Sequence, residues 1–200
     1  MTKIGLFGGS FDPPHLAHLA LASLALEKLQ LDRVHWLPVG EPWWKFGRGL
    51  VAAEHRVAML KLLMDGEPRF VLDERELRRA GPTYTVDSVQ ELRAEVPDAE
   101  LFLVIGQDQY ARLTSWHRWQ ELLPLVTLAV AARAGQGGVT PPELAAVAHR
   151  VVWLDLPEMP QASTTIRELV ARGQDCSTLA GEPVARYIDL HHLYREGTAP

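Results

Sequence analysis

A chain of 200 residues with 47% hydrophobic and 22% charged side chains has the make-up of an ordinary globular domain, and a single domain around one well-buried core is expected. The net charge of −5 argues against a protein built mainly to grip a nucleic-acid backbone, and leaves a small anionic ligand held by a few local cations as the alternative. The lone Cys176 permits no internal disulfide, the N-terminus lacks a secretory-signal pattern, and the richest apolar stretch, residues 16–26, is too short to cross a membrane, so a cytoplasmic protein with no membrane partner is expected.

Residues 4–7 form a short apolar run that predicts a strand, bounded by Gly8 and Gly9, and residues 16–30 follow as a Leu- and Ala-rich helix without internal Pro or Gly. Residues 34–39 (VHWLPV) predict a second strand, residues 52–64 an amphipathic helix and residues 69–72 a third strand. Residues 85–96 read as a helix with Val86, Val89, Leu92 and Val96 on one side. The run 101–105 (LFLVI) is the most strand-like in the chain, 125–131 is another strand and 151–154 the last. Apolar strands without alternation, separated by helices, predict an α/β fold: a doubly wound, Rossmann-like parallel sheet with helices on both faces. Ligands in such folds sit at the carboxyl ends of the strands. Residues 38–49 and 134–142, rich in Gly and Pro, read as loops, and the first carries two Trp, a Phe and two cations suited to covering a ligand. Neither an interdomain linker nor an internal repeat is visible.

The stretch GLFGGSFDPPHLAH, residues 5–18, carries the first chemistry. Gly8 and Gly9 after the strand let the backbone turn tightly and leave room for a ligand, while Pro13 and Pro14 start the next helix. His15 and His18 then share one face of its first turn. The free amides and positive dipole end of that helix favour an anion, so two imidazole donors beside them would form a phosphate pocket. The same spacing suits a metal, with Asp12 the only close third ligand, or an ordinary hydrogen-bonded histidine pair; the phosphate reading ranks first.

GGSFDPPHLAH resembles the GxFDPxHxGH signature of a nucleotidyltransferase superfamily, with Ala17 in place of the last glycine. Near the other end, QASTTIR (residues 161–167) resembles that superfamily's ISSTxIR segment from Ser163 onward, Gln161 and Ala162 departing from it. Ser163 or Thr164 can cap a helix there, presenting a second set of free amides with Arg167 one turn in. Alone this is an ordinary N-cap, but two distant segments pointing to the same anion form a strong pair. DERELRRAGPTYTVDSV, IGQDQYARLTSWHRW and EPVARYIDLHHLYR extend a resemblance to the nicotinate-nucleotide adenylyltransferase family over essentially the whole chain.

That resemblance implies transfer of AMP from ATP to nicotinate mononucleotide, with Mg²⁺ accompanying ATP and Asp12 as its candidate protein ligand. It implies catalytic roles for His15, His18, Lys45 and Arg167. It implies ATP contacts from Gly8, Gly9, Ser10, Phe11, His15, His18, Gly106, Asp108 (at the adenosine ribose), Arg133, Ser163, Thr164 and Arg167, the 163–194 helical segment completing the nucleotide site. The acceptor falls to Lys45, to Thr83, Tyr84 and Thr85 for the nicotinate acid group, and to Trp116 stacked on the pyridine ring. Trp44 stands beside Lys45 where many members have His. Without the resemblance, residues 83–85 are a plain helix start and Asp108 a helix cap; Trp119 and Trp153 read as core indoles, Cys176 as a small buried thiol, and His117, His191 and His192 as solvated. The rival readings are an adenylyltransferase acting on nicotinamide mononucleotide, phosphopantetheine or FMN, a non-catalytic nucleotide-binding module, and a metal-dependent hydrolase. The sequence leaves the oligomeric state open, a homo-oligomer included.

Overall fold

The computed structural model describes residues 1–40, 50–133, 135, 137–157, 159 and 162–195. In chain order the elements are β1 (Lys3–Gly9), α1 (Leu16–Lys28), β2 (Arg33–Pro38), α2 (Ala53–Met64), β3 (Phe70–Leu72), α3 (Arg75–Arg78), α4 (Thr85–Glu95) and β4 (Glu100–Gly106). There follow α5 (Gln107–Ala111), α6 (Trp119–Leu122), β5 (Thr127–Arg133), α7 (Pro142–Ala145), β6 (Arg150–Leu156), α8 (Ala162–Ala171), α9 (Ser177–Ala180) and α10 (Glu182–Leu190).

Each apolar run becomes a strand because both of its faces are covered. The six pair in parallel in the order β3-β2-β1-β4-β5-β6. Alternate side chains go to opposite cores. Ile4 and Leu6 of β1, Leu101, Leu103 and Ile105 of β4, and Leu128 and Val130 of β5 meet Val86, Val89 and Leu92 of α4, Tyr110 of α5 and Leu144 of α7. Phe7, Phe102, Val104, Ala129 and Ala131 face the other way, onto Leu21 and Ala25 of α1, Met59 and Leu60 of α2, Ile166 of α8, and Val184 and Ile188 of α10. Full burial of side chains this size stabilises by roughly 1.5–3 kcal/mol each, so the two cores fix the helices on both faces.

Every expected strand is present, its ends within two residues of the expected ones. The helix expected over 16–30 ends at Lys28, and Gln30 turns left-handed with φ 54°. The four-residue α3 and the short α7, which starts at the last residue of the expected 134–142 loop, have no counterpart among the expected elements. Trp119 and Trp153 are half-buried against the α4 side of the core, and Cys176 is a buried free thiol. Among the described residues no helix is long and apolar enough to cross a membrane.

From β1 the chain winds outward through β2 and β3, and from β4 in the opposite sense through β5 and β6. The carboxyl ends of β1 and β4 therefore flank the point where the winding reverses, which is where open α/β sheets leave a crevice for ligands.

Candidate active site

Gly8 and Gly9 do not make the turn expected of them: both stay in β1, in register with Leu37 and Pro38 of β2. The chain turns just afterwards, with Phe11 left-handed at φ 47°. That backbone costs a non-glycine residue about 1–2 kcal/mol, and burial of the ring among Phe7, Trp36 and His18 offsets it. Gly9 suits this packing, since a Cβ there would press to 3.1 Å from the Phe11 ring.

Pro13 and Pro14 precede α1 rather than starting it. The helix begins at Leu16 with His15 as its N-cap in extended backbone, so His18 is the third helical residue and the pair spans the cap. His15 Nδ1 accepts the His18 backbone N–H at 3.4 Å, and His18 Nδ1 accepts the His15 backbone N–H at 3.2 Å. The rings stack with centroids 3.6 Å apart. A ring nitrogen that accepts a hydrogen bond carries no proton, so this network assigns both neutral imidazoles the Nε2–H tautomer. Burial lowers the His15 pKa to about 4, and burial followed by the neighbouring His15 holds His18 well below the usual histidine range. At neutral pH the pair is two uncharged N–H donors.

α8 arrives at the same place. It starts at Ala162, so Ser163 and Thr164 lie inside its first turn instead of capping it. Ser163 Oγ donates to the Pro13 carbonyl at 3.0 Å, and Arg167 Nη1 donates to the Asp12 carbonyl at 2.6 Å across 155 positions of sequence. Arg167 Nη2 donates to Thr164 Oγ1 at 3.1 Å. The two motifs are thus joined by direct hydrogen bonds.

Beneath them lies a buried network that sequence reasoning missed. Arg56 of α2, only 3% exposed, donates through Nη1 to the Ser10 carbonyl at 3.0 Å and through Nε to the Val51 carbonyl at 3.1 Å. Burial works against its charge, and the nearby Asp12 carboxylate favours it. Asp12 Oδ1 accepts the Tyr194 hydroxyl at 2.7 Å and the Val51 N–H at 3.4 Å. Arg56 sits in a helix whose sequence reads as a plain amphipathic repeat, and Tyr194 lies beyond the last helix, so neither carried a local signal. Among the described residues no group of three His, Cys, Asp or Glu side chains is placed to hold a metal ion.

On the β4 side, Gly106 ends the strand and Asp108 stands in the first turn of α5. Its exposed carboxylate lies 3.6 Å from Arg112, and Oδ1 folds back so that a Cβ on Gly106 would meet it at 2.7 Å. Thr83 is buried, Tyr84 is the N-cap of α4 and Thr85 its first residue. Tyr84 stacks on His117, with ring centroids 4.0 Å apart, so the residues flanking Trp116 and the start of α4 are neighbours. His117 is exposed, as expected, with one ring face against Tyr84. Trp116 is half-buried against the α4 side of the core. Arg133 closes β5, its side chain outside the described residues, as are Lys45, Trp44 and Gln161 altogether.

A family model described as cytidylyltransferase-like matches residues 6–169. A relative in Methylibium petroleiphilum is 50% identical over 96% of this chain and 92% of its own length. One in Albidiferax ferrireducens is 45% identical over 98% and 99%, and one in Geobacillus thermodenitrificans 39% identical over 100% and 89%. All three carry the name probable nicotinate-nucleotide adenylyltransferase. Among solved structures, the Plasmodium falciparum nicotinic acid mononucleotide adenylyltransferase complexed with NaAD matches with TM-score 0.80 and 17% identity, over 97% of this chain and 98% of that one, a likeness of fold.

Proposed function

This chain belongs to the cytidylyltransferase-like family, and from that premise we infer that it is a nicotinate-nucleotide adenylyltransferase, transferring AMP from ATP to nicotinate mononucleotide. A phosphate oxygen of the mononucleotide forms the new bond to the α-phosphorus of ATP as the bond to the β-phosphate bridge breaks. Pyrophosphate leaves and nicotinate adenine dinucleotide remains. The nucleophile is already anionic, since a phosphate monoester has its second pKa near ~6, so a general base adds little. Catalysis comes from alignment and from donors aimed at developing charge.

The observation that carries this reading is the Arg167 to Asp12 bond at 2.6 Å, which sets the α8 guanidinium beside the loop that feeds the paired histidines. His18 is assigned the α-phosphate in the transition state, with His15, Lys45, Arg133 and Arg167 on the remaining phosphates. Gly8, Gly9, Ser10 and Phe11 line the nucleotide, Ser163 and Thr164 bring the α8 amides, and Gly106 with Asp108 takes the ribose. The acid of the acceptor goes to the start of α4 at residues 83–85, and Trp116 stacks on its ring. Segment 163–194 completes the site. Asp12 Oδ1 already accepts from Tyr194 and Val51, so Mg²⁺ would be carried chiefly on the ATP phosphates, with Asp12 its candidate protein ligand, and would offset charge on the pyrophosphate. The cytoplasm is the proposed compartment, a reducing setting that suits the unpaired Cys176.

The test is pyrophosphate release from ATP and Mg²⁺ with nicotinate mononucleotide, nicotinamide mononucleotide, phosphopantetheine and FMN supplied in turn. Turnover with the nicotinate acceptor at about tenfold or more the efficiency of the amide is expected, because helix-terminal amides reward an anion. Equal efficiency with the amide overturns the acid preference, and release with none of the acceptors overturns the reaction class.

A further inference from the structure

We propose that Arg118, to which no role was assigned above, is a positioning residue for the acceptor end of the site: it clamps the Trp116–His117 turn onto the first turn of α4. The inference rests on the acceptor reading of residues 83–85 and Trp116.

Arg118 is left-handed at φ 52° and caps α6. Its guanidinium is filled from two elements at once. Nε and Nη2 donate to the two oxygens of Glu121 at 3.0 and 2.6 Å, and Nη1 donates to Asp87 Oδ1 at 3.0 Å. Glu121 belongs to α6, whereas Asp87 sits in the first turn of α4, two residues after Thr85. One position before Arg118, the His117 ring stacks on Tyr84, the N-cap of α4. The turn that carries Trp116 is thus pinned to the start of α4 at two adjacent points, a ring stack and one charged hydrogen bond, while the fork to Glu121 holds the guanidinium in place.

An isolated exposed ion pair contributes little to stability. Here three bonds converge on one planar group, and a planar fork with matched carboxylates fixes direction as well as distance. A left-handed arginine is disfavoured, so once the fork is gone the turn relaxes. Arg118 also neutralises Asp87, a carboxylate standing in the same helix start that is to receive the acceptor's acid group. Loss of Arg118 therefore loosens the ring slot and leaves a repelling charge beside it, while the phosphate-binding part of the site, built on β1, α1 and α8, is untouched.

Steady-state kinetics of the full chain test this. Arg118→Ala is expected to raise the KM for nicotinate mononucleotide about tenfold, with the KM for ATP and kcat within about twofold of wild type. Arg118→Lys recovers part of the loss, having charge without the fork. Asp87→Ala raises the acceptor KM less than Arg118→Ala, and the double variant is no worse than Arg118→Ala alone. An unchanged acceptor KM in an active Arg118→Ala enzyme overturns the inference by itself, as does a parallel rise of both KM values accompanying a lowered melting temperature. A wild-type enzyme that does not use nicotinate mononucleotide overturns the acceptor reading and this inference with it.

Discussion

His15 and His18 form one unit: their rings stack 3.6 Å apart, and each ring nitrogen nearest the backbone accepts the other residue's N–H. The pair therefore presents its remaining N–H groups ready-made, without reorganisation when charge develops on a phosphate. His18→Ala removes one such donor and half of the helix cap. Turnover should fall ~10²-fold or more, as for loss of one oxyanion donor elsewhere, while loss of the cap costs about 1 kcal/mol of stability. Single-turnover rates measured well below the melting temperature separate the two, and near wild-type kcat would remove His18 from the chemistry.

The same burial that keeps the pair neutral makes stability depend on pH. His15 has a folded pKa of about 4 against 6.5 when unfolded, so below pH 6.5 the unfolded chain binds the extra proton. Its contribution is complete above pH 6.5 and is lost as the pH falls toward 4; His18, shifted the same way, adds to the loss. Glu76 acts with the opposite sign, because burial raises its carboxyl above the usual value and the folded state takes up that proton sooner as the pH drops. From His15 alone, stability at pH 5 should be about 2 kcal/mol below that at pH 7.5. Urea denaturation at the two pH values measures it. His15→Asn, which retains a good capping side chain, should flatten the dependence; an equal slope in that variant means the imidazole is not held neutral.

Tyr194 donates to Asp12 Oδ1 at 2.7 Å across 182 positions of sequence. Tyr194→Phe keeps the ring but leaves Asp12, only 7% exposed, with the longer bond from the Val51 N–H on that oxygen. A loss of about 1–3 kcal/mol is expected from chemical denaturation. Asp12 also presents its carbonyl to Arg167, so the KM for ATP should rise as well. An unaltered denaturation midpoint would mean that the chain's last described turn is not tied to the site.

The sheet was legible because a parallel strand covered on both faces must be apolar throughout, and LFLVI or LVTLAVA has no other economical reading. The convergence of the histidine motif and the Arg167 segment was legible as two residue patterns suited to one ligand, and the Arg167 to Asp12 bond joins them. What escaped has a common physical origin. Ser163 and Arg167 act on the carbonyls of Pro13 and Asp12, and Arg56 on those of Ser10 and Val51; a carbonyl partner leaves no mark in the identity of the residue that bears it. The turn fell at Phe11 rather than at Gly8 and Gly9 because pairing with β2 holds both glycines, a tertiary effect invisible to local preference. The stack of the exposed His117 on Tyr84 escaped because the two rings come from different elements.

Gly40 offers a last test, at the entrance to residues 41–49, where Lys45 lies. The preceding N–H, of Val39, donates to the Gly9 carbonyl at 2.9 Å and so ties this strand end to the nucleotide loop. A Cβ on Gly40 would stand 2.5 Å from the Glu76 carbonyl oxygen and 3.3 Å from Thr83 Cγ2. Backbone cannot swing aside as a side chain does, so either the end of β2 or α3 must move. Moving α3 strains the bond that Ser88 Oγ makes to the buried Glu76 carboxyl at 2.8 Å and disturbs Thr83 above it. Gly40→Ala should therefore cost about 1–3 kcal/mol, the usual range for forcing bulk into packed space. It should also raise the acceptor KM more than the ATP KM, because the displaced elements border residues 83–85 rather than the histidine pair. A variant with wild-type melting temperature and acceptor KM would show that this crossing of β2 and α3 does not set the acceptor side of the site.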